Sequence, residues 1–417
     1  AASEMKERVG DLINMSVKGL WIGTFHSICG RILRQEAEYL GFNSMFTIYD
    51  RDDSERVVKS AIEDLGLKGG DLKPRDVMDA ISGLKNEMIY PEDYRSMAQT
   101  EKERAIYNLY EKYQDALQRS NAMDFDDMLM HTVKVLKLSQ EKCRKWSERF
   151  NYILVDEFQD TNHTQYEFVK LLASTHNNIT VVGDDDQSIY SWRGAKVSNI
   201  LEFPDDFPGT TTVKLEQNYR STQHILSAAC SVVANNKLRH EKKLWTDKGS
   251  GNLVVVRKFN TDRDEADYIV SEIRKAIDSG RLPSEFAILY RINYLSRLFE
   301  ERLAKFNVAH EVVGGIRFYE RAEVRDILAY LRLLANPLDD LAFIRIVNTP
   351  RRGIGLTSMQ NLRQWATEHA ANLLDSISRP DFDAKVSSKA SRGFALFRDL
   401  INSLRESLDR LNVVEIM

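Results

Sequence analysis

The chain has 417 residues, more than one typical hydrophobic core organises, so two to four domains are expected. Its 43% hydrophobic and 29% charged residues are ordinary for a globular protein, and no apolar run approaches the roughly 20 residues of a membrane-spanning helix. A formal net charge of −4 excludes a uniformly basic nucleic-acid binder, so any site for DNA has to be a local groove.

Met5 to Ile13 reads as the end of a helix, and Leu20 to Thr24 as a short strand. That strand delivers Thr24, Phe25, His26 and Ser27 to the start of a helix carrying Ile28, Ile32 and Leu33 with basic Arg31 and Arg34. Asp50 to Arg119 reads as all-helical, with Ile106, Leu109, Tyr110, Tyr113 and Leu117 at core-facing helical spacing and no catalytic pattern. Asp124 is placed to cap a further amphipathic helix. Phe125, directly after it, fits either a ring buried under the cap or an exposed contact.

Tyr152 to Val155 is a short apolar strand ending in Asp156 and Glu157. In an open parallel α/β sheet, ligands bind at that carboxyl edge. One carboxylate there can hold Mg²⁺ while its neighbour takes a proton from an attacking water. After a helix over Gln165 to Ala173, a second apolar run, Ile179 to Gly183, enters Asp184-Asp185-Asp186-Gln187, followed by Tyr190, Trp192 and Arg193. Trp192 fits either a base stack, which is largely blind to sequence, or an interdomain core.

A strand over Thr212 to Leu215 leads into Gln217-Asn218-Tyr219-Arg220. Further βα pattern follows: strands at 253–256, 286–290 and 310–313, with helices at 264–277 and 294–306. Gly314 to Arg321 turns into a helix over Val324 to Leu334, which stops at Asn336-Pro337. Arg352-Gly353-Ile354-Gly355-Leu356-Thr357 sets small residues ahead of a helix, where backbone N–H groups can meet a phosphate or simply satisfy a tight turn. Ala370 to Met417 reads as amphipathic helix. Cys29, Cys143 and Cys230 are too scattered for a disulfide framework or a zinc site. With no signal peptide in the sequence, a cytoplasmic protein is expected.

Taken together, the runs at 152–162, 179–195 and 215–221 resemble the Walker B motif, motif III and motif IV of the UvrD/Rep/PcrA group of superfamily 1 DNA helicases, and the resemblance extends over essentially the whole chain. It implies two RecA-like parallel-sheet lobes of the P-loop NTPase type, each with a helical insertion. Lobe 1A would comprise 1–49 and 119–210, insertion 1B 50–118, a partial lobe 2A 211–319, and a truncated helical subdomain 2B 320–417. It further implies ATP and Mg²⁺ as cofactors. Asp156 and Glu157 would act at the metal and the water, Gln187 and Arg220 at the γ-phosphate, and Tyr219 on adenine. Single-stranded DNA would meet Thr24, His26, Phe125, Tyr190, Trp192 and Arg193, and the duplex at a single-strand/double-strand junction would meet Arg352, Gly353, Gly355 and Thr357. The implied activity is 3′-to-5′ unwinding in repair or replication by a monomer or weak dimer, with accessory proteins as further partners.

The sequence departs from that pattern in two ways. It contains no Gly-Lys pair, and so no G-x-x-x-x-G-K-[ST] loop to cradle phosphates, and it lacks motifs V and VI. The expectation is a fragment that hydrolyses little ATP alone. Its rivals are a non-catalytic single-strand-binding truncation, the helicase part of a helicase–nuclease subunit, and an RNA helicase of the same superfamily.

Overall fold

The helices form where cap and period agree. Thr100 accepts from the Glu103 amide while the Glu103 carboxylate accepts from the Thr100 amide, and the same reciprocal pair joins Asp124 to Asp127 and Asn162 to Gln165. These boxes open helices Glu101–Arg119, Phe125–Leu138 and His163–Ala173. Pro74 and Pro91 start two others, where the missing N–H costs nothing. The computed structural model describes residues 2–67, 72–237, 239–313, 321–408 and 410. The expected turn over 314–320 and the end of the last helix, 411–417, lie outside them.

The described chain divides into two compact units. The first gathers Ala1–Lys214, Asn236–Glu241 and Asp326–Met417, and the second Leu215–Asn235 and Lys242–Arg325. Within the first unit, helices Arg51–Asp64, Pro74–Asn86 and Glu101–Arg119 bury Val58, Ile81, Leu109, Tyr110, Tyr113 and Leu117 against one another. All five residues placed in the core by the spacing of 101–119 are buried. A second cluster packs Cys29, Ile32, Leu129, Val133, Trp146 and Phe168 from helices Phe25–Glu36, Phe125–Leu138, Gln140–Arg149 and His163–Ala173. Residues 326–401 build their own core around Phe343, Leu362, Trp365, Phe382, Phe394 and Phe397. Each large side chain so removed from water contributes roughly 1.5–3 kcal/mol.

Among the described residues the sheet content is small. Ile153–Val155 pairs in parallel with Ile179–Val181, Ile153 opposite Ile179, and Thr47–Ile48 pairs in parallel with Ala122–Met123. The stretches 20–24, 212–215, 253–256, 286–290 and 310–313 do not form strands. The expectation of two full parallel-sheet lobes is therefore corrected to short parallel pairs in a largely helical chain. The reason is the ladder. A strand exists through a hydrogen-bonded neighbour, and several apolar side chains of these stretches face solvent: Leu215 is 77% exposed, Val256 91% and Leu289 94%. In the second unit, helices Asp262–Asp278 and Ser296–Lys305 pack through Val270 and Leu303, and one isolated bridge joins Gln217 to Trp245.

Candidate functional site

The strand pair in the first unit carries acidic residues at both carboxyl ends. Asp156 and Glu157 follow Val155, and both are exposed. Glu157 sits in the left-handed region, φ 51 and ψ 42, a conformation that non-glycine residues rarely hold. The turn aims its carboxylate back over the loop, where Gln159 Nε2 donates to Glu157 Oε2 at 2.8 Å. Gln159 is buried, and its Oε1 accepts from the Asp184 amide at 3.0 Å. Gln187 Nε2 in turn donates to Asp184 Oδ2 at 2.7 Å. A continuous hydrogen-bonded path therefore runs Glu157–Gln159–Asp184–Gln187. Gly183 permits it, because a Cβ there would lie 2.5 Å from Gln159 Oε1. Burial, with the Glu157 charge adding to it, pushes the Asp160 carboxyl above its ordinary range.

Gln159 was not singled out from the sequence. An amide inside a short acidic run carries no pattern of its own, and only the fold shows that it spans the two strand ends. The three consecutive acids at 184–186 place carboxylate oxygens within 4.8 Å of one another. All three are engaged: Gln187 Nε2 donates to Asp184 Oδ2, Arg239 Nη2 to Asp186 Oδ2 at 2.8 Å, and the His240 amide to Asp185 Oδ2.

Beyond Gln187 the loop carries Tyr190, Trp192 and Arg193 in the open. Trp192 is 62% exposed, so it is not packed into a core in this unit. The Tyr190 and Trp192 rings are 6.3 Å apart, and the Arg193 guanidinium lies 4.6 Å from the Trp192 ring centre. Thr24, His26 and Phe125 form a second group. Thr24 caps helix Phe25–Glu36 by accepting from the Ser27 amide. The His26 ring stands edge-on to Phe125 at 5.6 Å, and Phe125 is 49% exposed rather than covered by the cap. Burial lowers the His26 pKa against an opposing pull from Asp126, which keeps its ring neutral near pH 7.

Arg352 is turned inward. Its Nη1 lies within hydrogen-bonding distance of the carbonyls of Ile346, Val347, Thr349 and Pro350, and its Nη2 donates to the Tyr330 hydroxyl at 2.8 Å. It thus braces the turn on which Gly353, Gly355 and Thr357 are exposed. Gly353 has φ 78, a left-handed backbone that favours glycine, and a Cβ there would have to displace the flexible end of Lys389 at 2.8 Å. Tyr219 and Arg220 belong to the second unit. There the Tyr219 hydroxyl donates to Gln217 Oε1 at 2.7 Å, and Asn218 Oδ1 accepts from the amides of Arg220 and Ser221, leaving both side chains exposed at the turn.

The donor set suits a hard cation: exposed carboxylate oxygens of Asp156 and Glu157 at a strand end. A phosphate-cradling Gly-Lys loop is not among the 417 residues.

The model of the UvrD/REP helicase N-terminal domain matches residues 1–208, and that of the UvrD-like helicase C-terminal domain matches 213–386. The chain belongs to the UvrD/Rep/PcrA family of superfamily 1 helicases. Membership carries the RecA-like P-loop NTPase fold class with it. The chain is 41% identical over 418 residues to an ATP-dependent DNA helicase PcrA of Leuconostoc citreum, covering all of this chain and 56% of that protein. It is 42% identical to a PcrA of Staphylococcus epidermidis and 41% to one of Staphylococcus aureus, in each case over all of this chain and 57% of the relative. The chain thus spans little more than half the length of these relatives. Among the described residues, no helix is long and apolar enough to cross a membrane.

Proposed function

We propose that this chain carries the water-activating carboxylates and the strand-gripping surface of an ATP-dependent DNA helicase with 3′-to-5′ polarity. The hydrogen-bonded path from Glu157 to Gln187 supports it most directly, because it ends three residues before Tyr190 and five before Trp192. A change of charge at Glu157 is thereby felt at the base of the aromatic loop. In this reading Glu157 takes the proton from water as its oxygen attacks the γ-phosphorus, and the bridging oxygen leaves with ADP. Asp156 would hold Mg²⁺, which supplies neutralisation of the phosphate charge. Gln187 orients the γ-phosphate side of the reaction. Tyr219 offers a face for adenine, and Arg220 a fixed positive fork for phosphate oxygens.

Along the nucleic acid, Trp192, Tyr190 and Phe125 supply base faces. Thr24, His26 and Arg193 supply polar and charged contacts. The glycine turn at 353–355 with Thr357 meets a duplex backbone at a junction, and Arg352 acts by holding that turn. The lack of a Gly-Lys pair favours one companion reading for the isolated chain: it grips single strands without turning over ATP at a helicase rate.

The test is titration of the 417-residue chain against a fluorescent oligo-dT strand and its oligo-rU counterpart, with ATP turnover measured alongside. Saturable binding to DNA with little or no turnover is expected. Absence of single-strand binding overturns the reading, preference for RNA moves it to an RNA helicase, and DNA-stimulated turnover near that of an intact helicase overturns the non-hydrolysing state.

A further inference from the structure

Helix Pro74–Asn86 and the residue after it carry no catalytic pattern in sequence, yet their last turn touches three functional segments of the first unit. Ser82 Oγ donates to Asp126 Oδ2 at 2.6 Å. Lys85 Nζ lies 2.7 Å from Asp124 Oδ2 and 2.7 Å from Asp127 Oδ1, with its side chain wholly buried. These three acids surround Phe125, and two of them form the capping box of its helix. Asn86 Oδ1 accepts from Asn162 Nδ2, the cap of the helix that follows the Asp156–Glu157 segment. Thr164 Oγ1 adds bonds to the carbonyls of Lys85 and Asn86 at 3.1 and 3.0 Å. At the end of the aromatic loop, Gly194 has φ 84, and a Cβ there would stand 3.4 Å from Asn86 Cβ. Glu87 Oε2 pairs with Lys196 Nζ at 2.6 Å.

A fully buried lysine is a rare and costly device for mere packing, since an uncompensated charge beside it costs several kcal/mol. Here burial works against its charge, and the carboxylates of Asp124 and Asp127 overcome that and hold it protonated. The cation fixes the first turn of the Phe125 helix from beneath. Asn86 bonds the cap of the helix after the Asp156–Glu157 segment, and Glu87, paired with Lys196, ties the chain just past the loop that bears Trp192.

We propose that the Ser82–Glu87 turn is a positioning element for single-stranded DNA, setting Phe125 and Trp192 in the register in which one strand stacks on both rings. This rests on the strand-gripping reading above. Two stacking contacts on one strand reinforce each other only while their separation matches the strand. Loosening either tether therefore forfeits the joint contribution without removing a ring.

The experiment measures affinity of the 417-residue chain for a labelled oligo-dT strand in two double-mutant cycles, Glu87→Ala with Trp192→Ala and Ser82→Ala with Phe125→Ala. Loss of one such hydrogen bond is expected to weaken binding about three- to tenfold, with the thermal midpoint held within about 2 °C. In the Trp192→Ala or Phe125→Ala background the same tether change has less than about a twofold effect, because no paired stack remains to misplace. Affinities equal to wild type for both single variants overturn the proposal, as do effects that multiply across either cycle. The Ser82 cycle decides alone if Glu87→Ala fails to fold. A wild-type chain that binds no strand defeats the strand-gripping reading, whereas a binding wild type with silent tether variants defeats only the positioning role.

Discussion

Truncating Trp192 is the sharpest probe of the strand-gripping surface. The indole is 62% exposed, with only Tyr190 at 6.3 Å and the Arg193 guanidinium at 4.6 Å beside it. Its removal therefore opens no cavity, and the folded state loses little. A base stacked on such a face is worth ~1–3 kcal/mol, which is about 5- to 150-fold in affinity. The open position and the Arg193 cation above the ring place the expectation in the middle of that range, about tenfold to thirtyfold. Fluorescence anisotropy with a labelled oligo-dT strand at fixed salt gives the affinity, and thermal melting of the same sample gives the stability. Affinity within about twofold of wild type, at unchanged melting, would remove Trp192 from the DNA surface and with it the reason for linking this loop to Glu157.

Three further outcomes are expected. In a protein that joins this chain to a phosphate-binding loop, Glu157→Gln abolishes ATP turnover and leaves nucleotide binding intact, because it keeps the side-chain shape and removes the base; retained hydrolysis in a single-turnover assay would strip Glu157 of that role. Burial holds the His131 pKa down at about 4, with Asp127 pulling the other way. Since the unfolded chain takes up that proton near the ordinary histidine value of 6.5, the contribution is present above it and is lost as pH falls, about 2 kcal/mol by about pH 5. Asp124 and Asp340, whose carboxyls burial raises to about 6 and about 7, act in the opposite direction. The measurement is therefore the urea-unfolding difference between wild type and His131→Gln at about pH 7.5 and about pH 5, and a difference that does not change with pH refutes the assignment. Asn336, buried, donates through Nδ2 to Thr47 Oγ1 and to the carbonyls of Ser120 and Asn121. Asn336→Ala removes those three bonds, although the Asn121 carbonyl keeps the Thr47 amide, and is expected to lower unfolding free energy by about 1–3 kcal/mol; a loss under about 0.5 kcal/mol contradicts it.

What the sequence made legible was local. Apolar period located the helix over 101–119 and its inward residues, and short apolar runs ending in acids located the two strand ends at 155–157 and 181–184. Both signals lie within one turn or one strand of each other. What it hid was non-local. The resemblance set Arg352 against a duplex, while only the fold shows its guanidinium bonding the carbonyls of the turn at 346–350. Lys85 and Asp124 are 39 residues apart, and Asn86 and Asn162 are 76 apart, so no periodicity could pair them. The expected sheets failed for a related reason. Apolar alternation marks a segment able to be a strand, while a ladder needs a second segment beside it.

Glu157 holds a left-handed backbone at φ 51 and ψ 42, which costs an L-residue with a full side chain about 1–2 kcal/mol. Asparagine and glycine relax at such a site. A search for thermostable variants that scores melting alone would therefore favour Glu157→Gly or Glu157→Asn, and would harvest hardier proteins that have lost the carboxylate. Selection for robustness at this one position has to be run with a catalytic counter-screen.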